Sequence, residues 1–131
     1  VTGKLDANAM VPNGKYRFYT CAKTYYYIND YAFDTEALLV AGNGAHLGYI
    51  HYYKGRFNAY QRTYVLSNIQ CNIFYLKFYL ENFLPQRIEK EKKEKYSLYS
   101  TINFNRNANF VTTINRTIKN SRLFFIDRKV D

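Results

Sequence analysis

The chain has 131 residues and a mass of 15.6 kDa, enough for one domain with an ordinary core, and 19 Lys and Arg against 10 Asp and Glu give a net charge of +9. This balance favours polyanionic partners, nucleic acid or an anionic surface, with A/T-rich codon usage (Lys, Asn, Ile, Tyr, Phe) as an alternative source of the basicity. Cys21 and Cys71 have no metal-ligand spacing, and no apolar run reaches the roughly 18–20 residues of a membrane span, so a disulfide scaffold, a structural zinc site and a membrane partner are not expected, and the expected compartment is the cytoplasm.

Valine in place of an initiating methionine reads as an excerpt or a processed chain, and Val1–Lys4 does not open a signal peptide. Pro12-Asn13-Gly14 predicts a turn. Tyr16, Phe18 and Thr20 then alternate with Arg17, Tyr19 and Cys21, the period of a strand, and TYYYI at 24–28 predicts a second. NDYAFD reads as the turn after it, with Asp30 and Asp34 as turn residues. EALLVAG at 36–42 is a short continuous apolar run stopped by glycine, as in a strand buried on both faces. Residues 49–53 and 63–66 predict further strands, with Lys54-Gly55 placed as a hairpin turn.

From Asn72 the period changes. Ile73, Leu76, Leu80, Leu84 and Ile88 fall at steps of three and four, one face of a helix with Asn72 as N-cap, and Pro85 predicts a kink or break within it. EKEKKEK at 89–95 reads as a solvated helix end. Residues 97–126 hold Arg106, Arg116, Lys119 and Arg122 and no acid, and TINFNRNANFVTTI reads as one or two strands. Strands followed by a helix, without βαβ alternation, predict an α+β domain over 1–131 with a mixed, mostly antiparallel sheet.

Catalytic patterns are weak. GNGAHLG is GxGxxxG with no Lys-Ser/Thr after it, so its glycines read as turn formers rather than a phosphate loop. His46 and His51 have no neighbouring carboxylate in sequence to orient them, and Glu91-x-Lys93 lies inside the charge run. No cofactor or metal is expected, and the chain reads as non-enzymatic. What remains is a basic, aromatic surface of His51, Tyr52, Tyr53, Lys54, Arg56, Asn58, Tyr60, Gln61 and Arg62. Lys and Arg neutralise phosphates, while Arg, Asn and Gln can bind base edges with two hydrogen bonds.

FDTEALLVAGNGAHLGYIHYYKGRFNAYQRTYVL at 33–66, followed by NIFYLKFYL at 72–80, resembles the central segment of target recognition domains in specificity subunits of type I restriction-modification systems. TGKLDANAMVPNGKYRFYTCAKTYYYINDYAF upstream resembles the same domains, so the similarity spans about residues 2–88. The last third, including 97–131, departs from the pattern, which leaves a truncated subunit, a half-subunit or an excised domain as alternatives.

The resemblance implies recognition of double-stranded DNA, one half of a split site, by a bacterial subunit without catalysis. Its partners would be the modification (methyltransferase) and restriction subunits. On this reading the DNA-binding set is Asn43, His46, Tyr53, Lys54, Arg56, Asn58, Tyr60, Gln61 and Arg62, carried by loops near 43–47 and 54–62. Lys54 and Arg56 hold phosphates, and Gln61 and Arg62 address base edges. For Arg62 a bracing ion pair with Glu36 is the alternative. The rival readings are a protein-interaction module, a remnant with non-specific nucleic-acid affinity, and a single-strand binder stacking bases on Tyr and Phe.

Overall fold

A computed structural model describes residues 1–94 and 108–120. The chain divides into two compact units, Val1–Ile69 and Gln70–Asp131. The first holds a five-stranded sheet: β1 (Tyr16–Tyr19), β2 (Tyr26–Ile28), β3 (Phe33–Ala41), β4 (Ile50–Ala59) and β5 (Thr63–Leu66), in spatial order β2-β1-β4-β3-β5. Only β1 and β4 run parallel; the other neighbours are antiparallel. The second unit holds α1 (Ile73–Glu94) and α2 (Ala108–Asn120). The architecture is therefore α+β, with a mixed, mostly antiparallel sheet followed by two helices, in agreement with the expected class.

The predicted turn before β1 forms. Gly14 N donates to Val11 O at 3.1 Å, and Asn13 takes φ 61°, a left-handed position that Asn tolerates well. β3 is central. Ala37, Leu38, Leu39, Val40 and Ala41 are all buried, so successive side chains on both faces are covered, as the apolar run predicted. Each large aliphatic side chain buried in this way contributes about 1.5–3 kcal/mol. One face carries a core cluster of Tyr19, Ala37, Leu39, Phe57, Ala59 and Val65, flanked by Phe33 and Tyr53.

Lys54-Gly55 is not a hairpin turn. β4 runs straight through it, with Lys54 opposite Glu36 and Gly55 opposite Thr35. Gly55 stays in the ladder at φ 140°, a conformation L side chains rarely adopt, so glycine here shapes a strand interior rather than ending a strand. The true β3–β4 turn is residues 42–49. Gly48 N donates to Ala41 O at 2.8 Å and Tyr49 N to His46 O at 2.9 Å, with Gly44 and Gly48 at φ 81° and 89°. The structural role read for the GNGAHLG glycines therefore holds. Asp34, expected in a turn, lies instead within β3, because pairing begins at Phe33 opposite Phe57.

The register demands strong coiling of the sheet. Phe57 pairs with Phe33 at one end of β3, whereas Thr63 pairs with Ala41 at the other end and on the opposite side. In a flat sheet those two points would be roughly 29 Å apart, yet the six residue steps between them reach at most about 21 Å. The β3–β4 ribbon must curl to close that gap. Past the end of β4, Tyr60 N donates to Tyr19 O at 2.9 Å and Gln61 N to Leu5 O at 2.9 Å, which hold the returning chain. Asn58, 6% exposed, staples the return from within: its Nδ2 donates to Asp30 O at 3.2 Å and its Oδ1 accepts from Ala59 N at 2.9 Å.

In the second unit, Asn72 caps α1 as predicted. Its Oδ1 accepts from Phe74 N and Tyr75 N, both at 3.0 Å, and its carbonyl takes the first helical bond, from Leu76 N. Ile73, Leu76, Leu80, Leu84 and Ile88 are all buried, the stripe read from the sequence. The helix does not break at Pro85: it continues to Glu94, with Asn82 Nδ2 donating to Phe78 O and Gln86 Nε2 to Asn82 O around the proline. In the charge run, Glu89 and Lys90 are exposed, while the side chains of 91–95 lie outside the described residues.

The strand reading of 101–114 is overturned for residues 108–114, which are helical; 101–107 lie outside the described residues, as do the rest of 97–107 and 121–131. Thr113, Ile114 and Thr117 are buried at helical spacing, and Thr117 Oγ1 donates to Thr113 O at 2.8 Å. That back-bond satisfies a hydroxyl whose β-branching otherwise favours strands.

Two substitutions test this account of the sheet. Gly55→Ala should cost about 1–3 kcal/mol through backbone strain, although the nearest atoms to an added methyl belong only to the Tyr53 ring. Asn58→Ala should cost about 1–3 kcal/mol by removing both hydrogen bonds of its buried amide, to Asp30 O and from Ala59 N. Urea melts of each variant measure the loss, and a midpoint equal to wild type for either would refute the role given to that residue.

Candidate nucleic-acid interface

Alternation along β4 divides the predicted site residues between the two faces of the sheet. Lys54 and Arg56 are exposed on the face that also bears Asp34 and Glu36 of β3. Arg56 Nε donates to Asp34 Oδ2 at 3.3 Å, its guanidinium lies 5.0 Å from the Tyr31 ring centroid, and its pKa is raised, chiefly by the Asp34 bond. Lys54 sits across from Glu36, whose Oε2 accepts from Tyr52 Oη at 2.7 Å. Both cations are thus set against carboxylates by the strand register. They lie on a strand rather than on the loop expected over 54–62, of which only the turn beyond Ala59 is loop.

Tyr53 points to the opposite face, half-buried against Tyr19 and Phe57, with the Arg17 guanidinium 4.6 Å from its ring centroid. Asn58 is buried with both ends of its amide engaged by backbone. Tyr60 is half-buried; its N–H is spent on Tyr19 O and its carbonyl accepts from Thr63 N at 2.9 Å. His51 is half-buried too, its Nε2 donating to Ala22 O at 3.0 Å and its ring 5.1 Å from that of Tyr19.

The remaining members meet at one end of the sheet. Gly42 N donates to Arg62 O at 2.9 Å, which fastens the 42–49 loop to the 60–62 turn. A methyl group on Gly42 would run into the Tyr64 ring and the Arg62 carbonyl, so the close approach needs glycine. Cys21 Sγ also donates to Arg62 O, at 3.3 Å. Asn43, His46, Gln61 and Arg62 are therefore carried on two adjoining loops; His46 and Gln61 are exposed, while Asn43 and Arg62 are half-buried. The Arg62–Glu36 brace does not form. Arg62 precedes Thr63, which pairs with Ala41, five residues along β3 from Glu36.

A cluster absent from the sequence-based set centres on Arg17. Its guanidinium lies over the rings of Tyr25 (4.1 Å) and Tyr53 (4.6 Å), and Nη1 donates to Tyr19 Oη at 3.1 Å. Burial pushes the Tyr19 phenol above its usual pKa, against the opposing pull of Arg17. Arg17 was legible only as one residue of an alternating strand; the tyrosines around it come from three separate stretches. Among the described residues, no group of three or more His, Cys, Asp or Glu is arranged to hold a metal ion, and no helix is long and apolar enough to cross a membrane.

No protein-family model matches the chain, and no solved structure matches it significantly. Among curated proteins, the EcoDI type I restriction enzyme specificity subunit of Escherichia coli is 52% identical over 88 residues. That match covers 67% of this chain but 19% of the relative, so the chain corresponds to about a fifth of that subunit. Over two thirds of its length, the chain is homologous to a type I restriction enzyme specificity subunit.

Proposed function

We propose that the chain is a DNA target-recognition module of a type I restriction-modification specificity subunit, reading one half of a bipartite double-stranded site. The observation that carries this reading is the 52% identity to the EcoDI specificity subunit over 88 residues. The module is non-catalytic. Methylation and cleavage belong to modification and restriction subunits, which would be its protein partners in the cytoplasm.

The two fastened loops form the reading end. Gln61 and Arg62 can pair with base edges through two hydrogen bonds each, Asn43 can do the same for adenine, and His46 adds an exposed donor or acceptor. Lys54 and Arg56 serve phosphates from the strand face, in competition with Glu36 and Asp34. Tyr53, Asn58 and Tyr60 support the site by packing and backbone hydrogen bonds.

Retention of a randomised duplex library at two salt concentrations, followed by sequencing, tests the reading. Enrichment of a short half-site, with affinity falling steeply in salt, is the expected result. Gln61→Ala should relax preference at one position, by about 1–3 kcal/mol of discrimination. Lys54→Glu should weaken binding to every sequence and flatten the salt dependence, whereas Asp34→Asn should strengthen it a few-fold by releasing Arg56. Retention without enrichment, or an unchanged preference in the Gln61 variant, would count against the assignment of these loops.

A further inference from the structure

Charge and aromatic side chains are sorted between the two faces of the sheet in a way the sequence does not display. On the face of Lys54 and Arg56, β3 presents Asp34 and Glu36. On the other face β3 presents Phe33, Thr35, Ala37, Leu39 and Ala41, none of them acidic. Arg17 stands on this acid-free face, opposite Tyr27 on β2 and Phe57 on β4.

Around the Arg17 guanidinium stand the Tyr25 and Tyr53 rings and the Tyr19 hydroxyl, and among the described residues no ion pair joins it to a carboxylate. Lys23 is exposed nearby, its ammonium 6.0 Å from the Tyr49 ring centroid, and Tyr49 leads through His51 to the Tyr19 ring at the centre of the cluster. Tyr25, Tyr27 and Tyr49 remain 37%, 43% and 40% exposed.

The arrangement of the rings decides what this surface can bind. A platform for stacked bases needs open ring faces. Here the Arg17 guanidinium covers the Tyr25 ring at 4.1 Å, and Tyr27 meets Tyr25 edge to face, with ring planes 81° apart. Of the five N–H donors of Arg17, one is used, toward Tyr19. What the surface offers is phenolic O–H and cationic N–H donors without acceptor competition from carboxylates, the donor set that phosphate oxygens accept from.

We infer that Lys23, Tyr25, Tyr27 and Arg17 form a clamp for the phosphate backbone of duplex DNA, separate from the base-reading loops and contributing affinity rather than sequence choice. This inference rests on the DNA-recognition reading above. It adds to the phosphate contacts of Lys54 and Arg56 a second sequence-independent set at residues 17–27, where the charge is not opposed across a strand.

The test uses the full chain with two labelled duplexes, one carrying the half-site selected from the library and one scrambled, titrated over a series of salt concentrations. Lys23→Gln removes a cation at an exposed position, and the double variant Tyr25→Phe/Tyr27→Phe removes two hydroxyls while keeping both rings. Thermal melts confirm that each is folded as wild type. Lys23→Gln should weaken both duplexes by the same factor and reduce the slope of log K against log salt by about 1. The double Phe variant should weaken both several-fold with the slope unchanged, because a neutral donor releases no counterion.

Wild-type affinity and slope in both variants would overturn the clamp while leaving the recognition reading intact. A changed site preference would overturn it by making these residues base readers. Stronger binding of single-stranded DNA that tolerates the Phe substitutions would overturn it in favour of stacking. A wild-type chain that binds neither duplex would remove the clamp and the recognition reading together.

Discussion

The short path from Phe57 to Thr63 constrains everything around it. Six residue steps must carry the chain from the Phe33 end of β3 to its Ala41 end, and across to its other side, which only a tightly coiled sheet allows. Glycine at φ 140° in the middle of β4 and the buried Asn58 amide are the local devices that accommodate the curl. Coiling has two consequences for the surface. It sets the 60–62 turn against the start of the 42–49 loop, so residues nearly twenty positions apart form one edge, and it carries the end of β1 to the beginning of β4, where Ala22 O meets His51. The two fastened loops and the Arg17 cluster are therefore both products of the same closure.

Most strands were legible because their signals are local. Alternation in 16–20, the unbroken apolar run ending at Ala41 and the turn residues Pro12-Asn13-Gly14 all reflect short-range geometry, as does the three-four spacing of Ile73 to Ile88 behind the Asn72 cap. The errors arose where one residue type serves two geometries. Gly55 beside Lys54 has the composition of a hairpin turn, yet glycine's conformational freedom equally permits a sharply twisted strand interior, and only pairing with Thr35 distinguishes them. The threonines of α2 invite a strand reading because β-branching is costly in helices, and the Thr117 bond to Thr113 O that offsets the cost appears only once the helix exists.

The candidate site was less legible than the fold, and for a different reason. Its residue types were recognisable, but the use of a side chain depends on what lies across the strand from it. Asn58 has the chemistry of an adenine reader and spends it on Asp30 O and Ala59 N; Arg62 was offered a brace with Glu36 that the register places too far along β3. Nothing near Arg17 in sequence marks it, and its setting comes from the fold, which brings the Tyr25 and Tyr53 rings to its guanidinium.

Net charge illustrates the same dependence on register. A total of +9 says that the chain attracts polyanions but not where. With Leu38 opposite Tyr52, period-two alternation aligns Glu36 with Lys54 and Asp34 with Arg56, so a cation-rich segment of β4 becomes a surface of paired charges. A slip of one residue would turn Lys54 and Arg56 to the other face, but it would also turn Phe57 and Tyr53 out of the core cluster, so burial forbids it. The hydrophobic pattern thus fixes which cations are opposed and which are not. On the other face, where β3 contributes only Phe33, Thr35 and aliphatic residues, Arg17 is opposed across its strands by Tyr27 and Phe57 rather than by a carboxylate.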